Sequence, residues 1–311
     1  MNFCCIGGDR RQNEVAVFLK VKGHSVKTFG LPKYRELTVA DSLFEAISGS
    51  DAVILPLPVS RDGTTVNTPL TDKVIFLQDI LLCRPKTVFG GIIRPEFKRE
   101  LENAGIEAFD YYESEALTVK NAVLTAEAAV AIAVNCTDRS IFGSKSLVLG
   151  YGRIGRQLAR YLKAMGSEVT ATSRNDGVLA LIEADGITAK KTEKAAEACY
   201  EFDYIFNTAP TPLLDRNFFE KCSPTAFVED LATDSGLDLA AAHEFNINAA
   251  VYGGLPGKHS PVSAARFIAE EILLNSENGG KLNEKNSCSC SRSSYALRIR
   301  SLRRHKATHR R

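Results

Sequence analysis

Short apolar runs alternate with amphipathic stretches along most of the chain. The run 2–7 (NFCCIG) ends in glycines, and 12–22 sets Val15, Phe18 and Leu19 at helical spacing. Residues 25–29, 52–55, 87–89 and 106–109 read as further strands, and 39–48 and the segment after GGIIRPEF to residue 103 as helices. Strands separated by helices at this spacing predict a parallel, doubly wound sheet. A second series starts at residue 146, with strands at 146–149, 168–173, 188–190, 204–207, 226–230 and 248–250. It contains a helix running to about Met165 and closes on one at 262–275. Between the two series lies the Ala-rich stretch 121–137 (NAVLTAEAAVAIAVNCT). Ala is the best helix former, and a helix apolar nearly all round is expected to lie buried, here between two lobes.

The chain has 311 residues, enough for two such domains. With 44% apolar and 24% charged residues it reads as an ordinary globular protein, not a collagen, coiled coil or disordered chain. From 276 the composition turns polar and then Arg-rich, the signature of a disordered tail over 276–311. The net charge of +2 hides that split: 277–311 hold ten basic and two acidic residues, leaving 29 basic and 35 acidic in the mildly acidic remainder. The tail's charge suits nucleic acid, but it lacks aromatic interleaving, so a solvated extension is expected. No apolar run reaches the ~20 residues of a membrane helix. MNFCCIGGDR lacks a basic n-region and a cleavage site and reads as a strand, not a signal peptide. Eight scattered cysteines with no CxxC pair predict buried, reduced thiols, a cytoplasmic setting and no metal site.

One motif carries chemistry. Gly150-Tyr-Gly152-Arg153-Ile154-Gly155 follows the apolar strand SLVL and opens an amphipathic helix. The first glycine allows the tight turn, the second close approach of backbone to a pyrophosphate, and the third close helix–strand packing. The pyrophosphate would sit on bare amides at the helix's positive end, as in a Rossmann NAD(P)-binding domain. An NAD site usually places Asp or Glu at the end of the next strand. This chain has Ser173-Arg174 there, which suits a 2′-phosphate and favours NADP over NAD, and Asp176 lies beyond the strand end. The loops at Asn207-Thr208-Ala209-Pro210, Asp230 to Thr233, and Gly253 to Gly257 with Gly254, Leu255 and Pro256 follow later strands. They are candidates for ribose and nicotinamide contact.

In the first series Gly7-Gly8-Asp9-Arg10-Arg11 follows a strand and opens a helix. It could be half a phosphate cradle, a cleft wall for an anionic substrate, or a helix start capped by Asp9.

These segments together resemble the A-subunit family of bacterial dipicolinate synthase. The resemblance rests on Gly7-Gly-Asp9 with Arg11-Gln12, Leu55-Pro-Leu-Pro58, 121–133 with Glu127, the Gly150–Gly155 motif, Asp230-Leu-Ala232, and Gly254-Leu-Pro-Gly-Lys258 with Pro261. It spans about residues 1–275; Ala128 stands where the family's helix has Gly, and the tail resembles nothing in it. It implies a fold similar to the two-lobed 2-hydroxy-acid dehydrogenases: a flavodoxin-like substrate lobe over 1–120, completed by helix 262–275, and a Rossmann lobe over 121–261 with 121–137 as crossover helix. It also implies NAD(P)-dependent oxidation and aromatisation of a hydroxytetrahydrodipicolinate or dihydrodipicolinate intermediate, a lysine-pathway branch, in the mother cell of a spore former. The expected partners are this cyclic dicarboxylate and a flavoprotein-like B subunit, in a homo- or hetero-oligomer, with no membrane.

A diacid substrate calls for bidentate guanidinium pairing. Arg11, Arg61 and Arg94 all lie in loops after first-lobe strands and are expected to bind it. For proton transfer the candidates are His259 in GLPGKHSP, Glu127 on the Ala-rich helix, where a buried carboxylate needs a partner, and Asp9. Two alternatives stay open. One is a 2-hydroxy-acid or alanine dehydrogenase, although Asp230 to Thr233 lacks the Arg such hydroxy-acid enzymes place just beyond; the other is a non-catalytic NADP(H)-sensing module.

Overall fold

The computed structural model describes residues 1–233 and 236–285; most of the expected tail, 286–311 with Cys288 and Cys290, lies outside the described residues. The chain divides into a body, Met1–Glu271, and a second unit that begins at Ile272.

The first lobe runs β1 (Asn2–Ile6), α1 (Arg10–Val21), β2 (Ser25–Phe29), β3 (Thr38–Val39), α2 (Leu43–Ile47), β4 (Ala52–Ile54), α3 (Leu77–Leu82), β5 (Thr87–Gly90), α4 (Pro95–Asn103) and β6 (Glu107–Asp110). Its sheet is parallel throughout, in the order β3-β2-β1-β4-β5-β6. Without the two-residue β3 this is a flavodoxin-like order, with its switch point between β1 and β4. Two elements depart from the expected pattern. The helix placed at 39–48 shrinks to α2, because Thr38 and Val39 pair with β2 and Ser42 caps the helix by accepting from Glu45 N. The helix α3 was hidden behind the Pro-rich loop.

The second lobe runs α5 (Glu115–Asn135), β7 (Lys145–Leu149), α6 (Arg153–Ala164), β8 (Glu168–Ser173), α7 (Asp176–Ala184), β9 (Thr188–Lys191), β10 (Tyr204–Asn207), α8 (Arg216–Glu220), β11 (Phe227–Asp230), α9 (Leu239–Glu244), β12 (Asn248–Val251) and α10 (Leu255–His259). The chain continues into α11 (Pro261–Lys285), eleven residues longer than the spacing predicts. The sheet order β12-β11-β10-β7-β8-β9, all parallel, is the Rossmann order with its switch point between β7 and β10.

Strands buried on both faces read as unbroken apolar runs. One face of the second sheet packs Val148, Tyr204, Phe206 and Phe227 against Ala126, Ala129, Ile132 and Ala133 of α5 and Leu158, Ala159 and Leu162 of α6. The other packs Leu147, Leu149, Ile205 and Val228 against Phe218 and Phe219 of α8. Burying one side chain such as Phe206 is worth about 1.5–3 kcal/mol. The small residues of α5 let it lie close to the sheet.

α5 departs from expectation in two respects. It starts at Glu115, six residues early, because Ser114 caps it by accepting from Leu117 N. It is also buried on one side only: Val119 and Val134 are 46% and 47% exposed, and Glu127 is exposed with them. By length and composition this 21-residue helix could cross a membrane, yet one side of it packs inside the body.

Of the six described cysteines, Cys4, Cys5, Cys199 and Cys222 are buried, Cys83 is half-buried and Cys136 exposed, all unbridged. One buried group is costly. Glu229 of β11 is fully buried, and neither carboxyl oxygen has a hydrogen-bond partner. Burial pushes its pKa up to about 9. A carboxyl raised in the folded state favours folding below its unfolded pKa and loses that contribution as pH climbs through the folded value. The expected outcome is a body whose stability falls between about pH 4.5 and 9 through this residue. Glu229→Leu should remove that slope and stabilise the protein at pH 8 by about 1–3 kcal/mol, measured by urea melts across pH. An unchanged slope would contradict the assignment.

Candidate functional site

Two contacts at the carboxyl ends of the sheets frame the site, one between the lobes and one between α5 and α6. In the first lobe Gly7 and Gly8 follow β1 with φ of +61° and +101°. A side chain on Gly8 would meet Gln12 at 2.7 Å and Pro56 at 3.0 Å. Asp9 then caps α1 by accepting from Arg11 N at 3.0 Å. Its carboxylate also takes the Arg11 guanidinium, Nε at 3.0 Å and Nη2 at 2.8 Å, and Nη2 donates to Leu57 O at 2.6 Å. The cap and cleft-wall readings of this segment therefore coexist, but Arg11 is only 10% exposed and already paired.

Against that pair sits α10. A Cβ on Gly257 would lie 2.7 Å from Asp9 Oδ2 and 2.9 Å from Arg11 Nε. The segment GLPGK, expected as a loop, is thus a short helix whose glycine lets it touch the other lobe. His259 ends it, exposed, near the helix's negative end.

The second contact joins α5 to the glycine motif. Arg153, first residue of α6, donates from Nε and Nη2 to Glu115 at 2.8 and 2.5 Å. Beside it Asn121 Nδ2 donates to Tyr112 Oη at 3.3 Å.

The motif itself has the geometry of a phosphate cradle. Gly150 holds φ +93°, with Thr208 Oγ1 2.9 Å from where its Cβ would be. A Cβ on Gly155 would fall 2.2 Å from Gly150 O, so only glycine fits. At Gly152 a Cβ would meet nothing within 4 Å, and no side chain caps the helix start there. Bare amides therefore face open space at the positive end of α6. The residues fit a dinucleotide.

At the far end of the cradle Ser173 Oγ accepts from Asn175 N, and the exposed Arg174 guanidinium has no described partner. Lys191, opposite Ser173 in β9, donates to Arg174 O at 3.2 Å and pairs with Asp176 at 2.5 Å. Asp176, the first residue of α7, lies beyond the end of β8, as the sequence places it.

Two expected ligands are committed elsewhere. Asn207, fully buried, donates to Asp230 Oδ1 at 3.0 Å, and Asp230 Oδ1 also accepts from Ala232 N. The pair pins two strand ends, so Thr208, Ala209 and Pro210 can face the cleft only with backbone and short side chains. Thr208 Oγ1 donates to Leu149 O. Arg94 Nη2 donates to Arg61 O at 2.7 Å and Arg94 covers Gly63, while the Arg61 side chain is exposed. Asp62 holds this loop by accepting from Ser60, Thr64 and Thr65, bonds that keep its carboxyl well below the usual range. The burial argument for Glu127 fails, because α5 turns it to the outside.

Sequence reasoning missed Glu115, Tyr112 and Lys191. The Ser114 cap signal would have placed the first two at a helix start; Lys191 becomes visible only through strand register.

Residues 2–112 match the N-terminal domain of the dipicolinate synthase A subunit, and 118–241 match the D-isomer specific 2-hydroxyacid dehydrogenase NAD binding domain. The dipicolinate synthase A subunit of Bacillus subtilis is 27% identical over 283 residues, covering 88% of this chain and 94% of that protein. The crystal structure of the A subunit from Bacillus halodurans superposes with a TM-score of 0.76 at 26% identity, covering 88% of this chain and 96% of its own. Over most of its length the chain is similar to the A subunit of dipicolinate synthase. Escherichia coli D-lactate dehydrogenase shares the fold, with a TM-score of 0.58 at 14% identity over 90% of this chain and 97% of its own. The chain is thus a two-lobed, dehydrogenase-type protein with a nicotinamide-binding domain.

Two substitutions separate cradle from scaffold. Gly155→Ala should destabilise the second lobe by more than about 1 kcal/mol, as overpacking does. Gly152→Ala should leave the melting temperature unchanged yet weaken NADPH binding at least tenfold, read by fluorescence titration. Full binding by Gly152→Ala would contradict the cradle.

Proposed function

We propose that the chain is the catalytic A subunit of a dipicolinate synthase, oxidising and aromatising a cyclic dicarboxylate to dipicolinate. The observation that carries this reading is likeness to the B. subtilis protein over nearly the whole of both chains. Arg11, Arg61 and Arg94 of the first lobe would then meet the diacid. The substrate would be hydroxytetrahydrodipicolinate or its dehydrated dihydropyridine, a branch from the lysine pathway in the cytoplasm of a sporulating cell.

Loss of water from the hydroxylated ring gives the dihydropyridine, and loss of a hydride and a proton then gives the aromatic diacid. A nicotinamide coenzyme, when bound, supplies the hydride acceptor. The amides at Gly152, Arg153, Ile154 and Gly155 would hold its diphosphate, while the Gly150 amide donates to Thr172 Oγ1 at 3.2 Å and shapes the turn. Ser173, Arg174 and Lys191 would hold a 2′-phosphate, which favours NADP. Thr208, Ala209, Pro210, Gly254, Leu255 and Pro256 would border the nicotinamide end.

Arg61 and Arg94, on the loop stiffened by Asp62, pair with one ring carboxylate. Arg11 meets the other with Nη1, because Asp9 and Leu57 O occupy only Nε and Nη2. Asp9 orients Arg11 and is not the proton carrier. His259, on the helix seated against that pair, takes the ring proton. Orientation is the protein's main task, because aromatisation itself favours the product. A B subunit would complete the assembly, as the relatives' names suggest.

The test supplies purified chain, with and without a B subunit, with freshly made substrate and each coenzyme, following absorbance of the reduced coenzyme. Turnover should favour NADP⁺. Arg174→Ala should weaken NADPH about tenfold, the loss of one charge-assisted hydrogen bond, and leave NADH unchanged. His259→Ala should lower kcat about a hundredfold or more. No turnover with either coenzyme would sink the assignment, and full kcat in His259→Ala would sink the proton carrier.

A further inference from the structure

Arg153 is placed to serve two anions that cannot both have it. It is the first residue of α6, beside the bare amides that face open space at Gly152. Its guanidinium is nevertheless turned onto Glu115, with both Nε and Nη2 engaged at 2.8 and 2.5 Å. Glu115 lies in the first turn of α5, just after the Tyr111–Glu113 turn that leaves β6 of the other lobe. Tyr112 stands close enough to act on the arginine electrostatically and receives the Asn121 amide. A bidentate carboxylate therefore occupies the one cation of the glycine motif, and it belongs to the segment that joins the lobes.

We propose that Glu115 is a positioning residue that competes with the coenzyme's diphosphate for Arg153 and so sets dinucleotide affinity. This rests on the dinucleotide reading of Gly150 to Gly155. Planar fork pairing commits Nε and one Nη to a single partner, so the arginine must leave Glu115 to reach a phosphate. In the free protein the pair ties α5 to α6; with a diphosphate bound, that tie is released. Both side chains are more than half exposed, at 55% and 66%, so the competition is modest and screened by salt.

The experiment titrates the full chain with NADPH by fluorescence, at low and high salt, for wild type, Glu115→Gln, Glu115→Asp, Arg153→Met and the Glu115→Gln/Arg153→Met double variant. Glu115→Gln should tighten Kd about twofold to fivefold at low salt, and the gain should shrink at high salt. Glu115→Asp, which keeps the charge, should stay near wild type. Arg153→Met should weaken binding, and adding Glu115→Gln to it should recover little, because the competitor acts through the arginine. Unchanged or weaker binding by Glu115→Gln beside a wild type that binds would overturn this proposal alone. A wild type that does not bind NADPH or NADH would overturn the dinucleotide reading and the proposal with it. Melting temperatures of all variants should agree within about 2 °C, as for exposed pairs; a gain in affinity confined to a destabilised variant would also overturn it.

Discussion

Two parallel sheets can act on one ligand pair only if their carboxyl ends open onto a common cleft, and here that depends on a glycine. Gly257 brings α10 of the second lobe against the Asp9–Arg11 pair of the first, where a methyl group would lie within 3 Å of both side chains. The Arg11 guanidinium is simultaneously tied to Leu57 O, so β1, the loop after β4 and α10 are linked through one buried charge. A guanidinium this far from water is tolerated because its carboxylate and a carbonyl satisfy it. Removing either partner would leave a buried charge uncompensated, so this contact shapes both the fold and the cleft.

A second constraint works within the dinucleotide lobe. The approach of Gly155 to Gly150 O brings α6 down onto β7 and aims its amides at the space above Gly152. Thr208, crossing from β10, fastens the same turn, and the Asn207–Asp230 pair holds the next two strand ends in register. The polar residues at these strand ends are mostly engaged in holding loops. Among the described residues, the groups here that face ligands are backbone amides, short side chains and the exposed Arg61 and Arg174, with Arg153 and Lys191 held by Glu115 and Asp176.

Much of this was legible in the sequence. Strand periodicity placed β2, β8 and β10 to the residue, and the GxGxxG motif between strand and helix located the cradle. What escaped it was set by tertiary contact. β3 exists because two residues reach β2, and Lys191 joins the coenzyme end because β9 lies in register with Ser173. Glu127 seemed buried because its neighbours are alanines, yet it lies on the outward side of a helix that packs along one face. Asn207 and Asp230 carry the side chains expected of ligands, but each is the other's partner, and no single-strand pattern reveals that.

The account's central claim is that diacid and dinucleotide share one cleft between the lobes. The measurement that tests it most directly is calorimetric titration of pyridine-2,6-dicarboxylate into the chain, alone and saturated with NADPH. The account predicts one site per chain, an affinity changed by the dinucleotide, and the same factor when the order of addition is reversed, as linkage requires. Diacid binding indifferent to the dinucleotide, or no diacid binding at all, would contradict it.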